Sequence, residues 1–141
     1  MKNAVKQDKN VIPCGVAIIR RGREFLIAQR KRNDSFGNYW EFPGGKKNEG
    51  EIFEDCVVRE AREEVGVEVK VEQKLMEIRR PYNQKIIWLN FYLCSLISGE
   101  PKAIECQKTQ WTDVTELQNF KFPPANDKVI RHLLERFDTQ S

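Results

Sequence analysis

Apolar runs over 11–20 and 24–29 flank the polar Arg21-Gly22-Arg23 and predict a hairpin of two strands. A short strand is expected over 39–42, running into Gly44-Gly45. The period then changes. Phe53, Val57, Ala61 and Val65 recur at helical spacing, and Gly66 marks the end of that helix. Two long β-rich runs follow, 67–77 and 85–97, joined by Arg79-Arg80-Pro81-Tyr82-Asn83-Gln84, and both read as core strands. A short strand is expected over 110–114. Val129, Ile130, Leu133, Leu134 and Phe137 predict a closing amphipathic helix over 127–137. Strands and helices in this order predict an α/β fold with a mixed sheet between helices, one domain over 11–138 behind a flexible polar segment at 1–10.

Composition agrees with one domain. The chain has 141 residues, 40% of them hydrophobic and 10% aromatic, enough for one real core. A net charge of +3, from 24 basic and 21 acidic residues interspersed, provides no basic tract for gripping nucleic acid, so stable nucleic-acid binding is not expected. No apolar run is long enough for a membrane helix. Cys14, Cys56, Cys94 and Cys106 form no C-x-x-C pair and read as buried reduced thiols. A cytoplasmic location is expected, and a monomer, with a dimer as the alternative.

The predicted helix carries the chemistry. Glu60, Glu63 and Glu64 fall at i, i+3 and i+4, which stacks three carboxylates on one face. Like charges at this spacing cost an isolated helix roughly 0.2–0.5 kcal/mol per pair, which calls for a compensating cation. Hard oxygen donors without His or Cys suit Mg2+, with Mn2+ as a substitute, and Mg2+ prefers a few carboxylates plus substrate phosphates. A phosphorylated substrate follows. Arg59 lies about two turns from Glu51 and is placed to hold that carboxylate or a neighbour as an ion pair, so both read as orienting groups. Gly44 and Gly45 suggest a turn that side chains disfavour, with a carbonyl left free for a metal. The bland alternative is a solvated, charge-laced helix.

The spacing of Gly45, Glu51, Arg59, Glu60, Ala61, Glu63, Glu64, Gly66 and Val67 resembles the Nudix box at every fixed position. Read without gaps from Gln29 through Ile130, the chain is similar to Nudix hydrolases of the MutT type, the sanitising 8-oxo-dGTP diphosphatases. Arg30, Glu41-Phe42-Pro43-Gly44-Gly45, Gly99-Glu100-Pro101, Glu105, Trp111 and Phe122-Pro123-Pro124-Ala125-Asn126 carry that likeness. It implies an α/β/α sandwich. It also implies metal held by Glu60, Glu63, Glu64 and the Gly45 carbonyl, with Glu105 as a further ligand or base. Glu60 and Glu105 stay open as rivals for the base.

The same resemblance places purine reading on Asn126, whose amide suits the guanine edge, and sensing of the oxidised base on the Phe42 carbonyl. From the residues alone Asn126 reads as a helix N-cap. Arg30 is either a phosphate ligand or an exposed strand-end cation, and Glu41 belongs to the same entry segment. Tyr82 matches a position where relatives place an aromatic near the base, and Lys85 stands in for a basic partner there. Ser35 departs from the family pattern, which leaves a contact from that position in doubt. Trp88, Phe91 and Trp111 are either base-stacking or core.

Water attack on a nucleoside triphosphate, releasing a nucleoside monophosphate and pyrophosphate, is the activity the resemblance implies. The lone His132, in the closing helix, reads as structural. Two other readings stand beside this one. The same chemistry would serve another nucleotide, such as CTP or dCTP analogues, a dinucleotide or an RNA 5′ end. A noncatalytic base-reading module would need no carboxylate set, and this chain keeps it.

Overall fold

The computed structural model describes residues 9–138. Of the flexible segment expected at 1–10, residues 1–8 lie outside the described residues. Seven strands form one sheet: β1 (Val11–Arg21), β2 (Glu24–Gln29), β3 (Trp40–Glu41), β4 (Gly44–Lys46), β5 (Glu68–Tyr82), β6 (Lys85–Ser98) and β7 (Lys108–Asp113). Two helices cover it, α1 (Phe53–Val65) and α2 (Asp127–Phe137), with short 3-10 turns at Val114–Asn119 and Pro124–Asn126.

The order runs β3-β2-β1-β6-β5, with β4 added to β1 and β7 to β2. The sheet is mixed: β1 runs parallel to β6, and the other pairings are antiparallel. β1 is central, which explains its unbroken apolar run, since Ala17 and Ile19 face α1 while Val16 and Ile18 face α2. On one side Val57, Ala61 and Val65 of α1 pack against Leu26 and Ala28. On the other, Val129, Ile130 and Leu133 of α2 close over Phe25, Ile27 and Phe91. The α/β/α sandwich expected from the sequence is the observed architecture.

Gly66 ends α1 in the left-handed conformation, φ 71°, where its amide bonds the Arg62 carbonyl. The segment after Gly99 then finishes the cap. Lys102 N–H donates to the Val65 carbonyl, and the Ile104 and Glu105 amides donate to that of Glu64. Glu105 is thereby held at the carboxylate end of α1.

Two expectations need correction. β5 is an edge strand, largely exposed, and its register slips between Val71 and Gln73 and between Lys74 and Met76. It also extends to Tyr82, so the connection to β6 is only Asn83-Gln84, both at positive φ as a two-residue hairpin turn requires. The second correction concerns Gly44 and Gly45, which make no left-handed turn but lie in β4. Their lack of a side chain serves close approach. A Cβ on Gly44 would sit 2.5 Å from the Gly15 carbonyl oxygen and 2.9 Å from Val16 Cα, and one on Gly45 would sit 2.6 Å from the Glu60 carboxylate.

The obstacle at Gly44 is backbone, which cannot swing aside. Gly44→Ala is expected to lower unfolding stability by roughly 1–3 kcal/mol through forced displacement of β4 from β1. Urea unfolding measures it, and an unchanged midpoint would contradict the close-approach account.

Candidate active site

The site forms where β4 crosses the face of α1. Arg59 is its hub. Its Nε and one terminal nitrogen grip both Glu51 oxygens at 2.7 and 2.9 Å, the same terminal nitrogen donates to the Lys46 carbonyl at 2.9 Å, and the other donates to Glu60 and Glu63, each at 3.0 Å. The hydrogen bonds from Arg59 hold the Glu51 carboxyl down at about 2, well below the carboxylate range. Arg59 thereby fixes the Glu51 carboxylate against the helix. One guanidinium joins the loop after β4 to the helix.

Glu64 is the most enclosed acidic residue among the described residues, at 5% exposure. Its Oε2 accepts from the Gly44 amide at 3.2 Å, while Oε1 is buried without a partner among the described residues. Burial first, and then the charge of Glu41, push its carboxyl up to about 9. Burial likewise raises Glu41, against the pull of Arg30, which donates to it at 2.6 Å. Glu60 is raised by burial too, with Glu63 and Glu105 adding in the same direction after Arg59 opposes.

No three His, Cys, Asp or Glu side chains among the described residues converge as a ready metal cage. The donor chemistry nonetheless fits a hard cation. The unpartnered Glu64 oxygen is a buried acceptor that needs positive charge, Glu60 lies against the space left at Gly45, and Glu63 and Glu105 border the same helix end. Gly45 pairs with Gly15 in the β1–β4 ladder, and its carbonyl also accepts from the weak Cys56 thiol donor, at 3.7 Å.

Beside β4 opens a cleft of about 290 Å³. Glu41, with Gly44 and Gly45 beside it, forms its acidic border, Val16, Leu89 and Phe91 its apolar floor, and Pro123, Ala125 and Asn126 its far end. Phe42, stacked on Phe122 with ring centres 5.2 Å apart, lines it as well. Asn126 stands at the N-terminus of α2 without capping it. Instead its buried amide nitrogen donates to the Pro123 carbonyl at 3.2 Å, and its oxygen has no partner among the described residues. Arg30 and Tyr82 also line the cleft.

One expectation shifts. Lys85 follows the turn at the start of β6 and does not line the cleft, whereas Arg80, not singled out in the sequence, does. Period-2 alternation from Tyr82 was the signal that would have found it. Trp88 and Trp111 are also outside. The former donates to Glu77 at 2.7 Å and the latter lies under Arg21, so of the three only Phe91 belongs to the cleft. All four cysteines are free and buried, and burial raises each thiol, Cys94 to about 12.

A carboxyl raised from 4.5 to about 9 binds more protons folded than unfolded. Its contribution to stability is present below the unfolded value and is lost as pH rises through the folded one. Metal-free protein is thus expected to melt at progressively lower temperature from about pH 5 to pH 9, and Glu64→Gln to flatten that decline. Identical pH profiles for the two proteins in thermal melts would contradict the assignment.

Residues 15–132 match the NUDIX domain family. The chain is 38% identical over 129 residues to the 8-oxo-dGTP diphosphatase of Haemophilus influenzae, covering 90% of this chain and 94% of that one. It is 33% identical over 110 residues to the CTP pyrophosphohydrolase of Escherichia coli, covering 78% and 82%. The solution structure of MutT from methicillin-resistant Staphylococcus aureus superposes with a TM-score of 0.75 at 31% identity, covering 92% and 99%. Among the described residues no helix is long and apolar enough to cross a membrane. With its carboxylate helix, its glycine approach and these relatives, the chain belongs to the Nudix hydrolase family.

Proposed function

We propose that this chain hydrolyses 8-oxo-dGTP to 8-oxo-dGMP and pyrophosphate with Mg2+, as a sanitiser of the nucleotide pool. The observation that carries the reading is the cleft itself. A buried asparagine amide stands at one end and a buried carboxylate, with one oxygen unpartnered among the described residues, adjoins the other, across an apolar floor suited to a purine. The relative from H. influenzae, alike over nearly its whole length, supports the same substrate.

Nudix hydrolases use a divalent cation. Glu60, Glu63, Glu64, the Gly45 carbonyl and Glu105 are the groups that would hold it here, and Mg2+ suits their oxygen donors. When bound, it would neutralise polyphosphate charge and make water a better nucleophile. The chain's own residues then do the rest. Arg59 orients Glu51, Glu60 and Glu63, and the Gly44 amide aims Glu64. Glu60 or Glu105 takes the proton from the attacking water. In the cleft Asn126 reads the guanine edge, and the Phe42 carbonyl meets the N7–H that oxidation creates. Phosphoryl transfer depends mainly on such positioning and charge stabilisation, so no covalent nucleophile is required. Four free, buried thiols fit a reducing cytoplasm. A CTP-type substrate is the second reading, favoured by the E. coli relative.

The deciding experiment is Mg2+-dependent pyrophosphate release from 8-oxo-dGTP, dGTP, GTP and CTP, compared by kcat/KM. The account expects a preference for 8-oxo-dGTP of about a hundredfold or more over dGTP. A flat profile, or faster turnover of CTP, would reject the oxidised-purine assignment. Glu64→Gln is expected to cut turnover by at least ~100-fold with the fold retained. Asn126→Ala is expected to narrow the discrimination between the two guanine nucleotides by roughly 1–3 kcal/mol. Equal losses on both would mean that Asn126 only supports the fold.

A further inference from the structure

Two guanidinium groups line the cleft, and only one is already used. Arg30 donates to the Ser35 carbonyl at 2.6 Å and to Glu41 at 2.6 Å, so the phosphate role suggested by the sequence meets a side chain with partners of its own. The Arg80 side chain has no hydrogen bond or ion pair with any described residue, while its backbone pairs with Ile87 of β6. Its guanidinium carbon lies 5.8 Å from the Phe36 ring centre and 5.5 Å from that of Tyr82. Both rings also line the cleft.

These two rings come from separate parts of the chain. Phe36 belongs to the loop after β2 and is held at φ 54°, a left-handed conformation that side chains bearing a Cβ rarely adopt. The Arg30 bond to the Ser35 carbonyl and the Tyr39 amide bond to the Phe36 carbonyl support that geometry. Tyr82 ends β5, just before a two-residue turn in which both residues are also at positive φ. Phe36 and Tyr82 remain exposed, at 36% and 38%, although they are large and apolar. Arg80 lies between them, one alternation before Tyr82 on the same strand face.

A guanidinium has five N–H donors in a rigid fork. At an open rim, water satisfies them. Once a nucleotide fills the cleft and displaces that water, donors beside Ile87 and Leu89 need acceptors from the ligand, because leaving them unmade costs their full desolvation. A nucleotide offers such acceptors in its phosphate oxygens and in its base carbonyls.

We propose that Arg80 is a substrate-binding residue, donating charge-assisted hydrogen bonds to a nucleotide oxygen while Phe36 and Tyr82 hold its guanidinium in place. The proposal rests on the cleft being the nucleotide site, but not on which nucleotide is preferred. Phosphate and base carbonyl share the acceptor chemistry, and binding separates them.

The test uses the whole chain with whichever triphosphate the wild type turns over fastest, so failure of the 8-oxo-dGTP assignment leaves it intact. Arg80→Ala is expected to raise KM about 10- to 100-fold, the size of a lost charged hydrogen bond, with kcat changing far less. Arg80→Lys keeps a point charge without the fork and is expected to recover part of the loss. Thermal melts of both variants are expected to stay close to wild type, since the Arg80 side chain contributes only its two ring contacts and no hydrogen bond or ion pair to the fold. Calorimetric titration with the corresponding monophosphate and nucleoside then locates the acceptor. Weakening of the monophosphate alone assigns a phosphate oxygen, and weakening of both assigns a base carbonyl. KM and both binding constants within about twofold of wild type, in variants that melt normally, would overturn the proposal.

Discussion

Arg59 converts a run of mutually repelling carboxylates into a working surface. Its guanidinium meets Glu51, Glu60, Glu63 and the Lys46 carbonyl at once, drawing the loop after β4 onto the face of α1. With 22% of the side chain exposed, the hub is shielded enough for its charge to matter, and Glu51 responds by titrating far below its ordinary range. Loss of that one charge would leave the two enclosed carboxylates, Glu51 and Glu60, uncompensated, the condition that most strongly destabilises a buried ionic group. The acidic face exists because the cation beside it does.

The glycines of β4 complete the same arrangement from the opposite side. At Gly45 the backbone comes so near Glu60 that any Cβ would intrude, and at Gly44 the amide reaches Glu64. Fold and site are thus one construction. β1 is covered on both faces, β4 is pinned to it, and α1 lies across both with one oxygen of Glu64 left unanswered. A hard cation is the chemical answer to such an oxygen. The neighbouring cleft, apolar in its floor and bordered by Asn126, is where the proposed function puts the other half of a nucleotide.

Much of this could be read from residue order because it follows local rules. Helical periodicity located α1 and α2, Gly66 marked a helix end, and the spacing of Glu60, Glu63, Glu64 and Arg59 pointed to one shared face. What could not be read depends on contacts remote in sequence. β5 resembled a core strand by composition, yet its register slips and lack of a second neighbour leave it at the edge. Gly44 and Gly45 suggested a turn, whereas the constraint comes from Gly15 and Glu60. Lys85 was placed at the cleft by resemblance to relatives, whereas Arg80 lines it because a two-residue turn sets which strand face points inward.

The central claim is that cation, phosphates and base meet along one line from α1 to Asn126. Its most direct test is a crystal of the protein with Mn2+ and a non-hydrolysable 8-oxo-dGTP analogue, read by anomalous scattering at the manganese edge. The account predicts manganese bounded by carboxylates of α1 and the Gly45 carbonyl, with the base against Asn126. Manganese bound away from Glu60 and Glu64, or a base outside the cleft lined by Phe42 and Asn126, would contradict it.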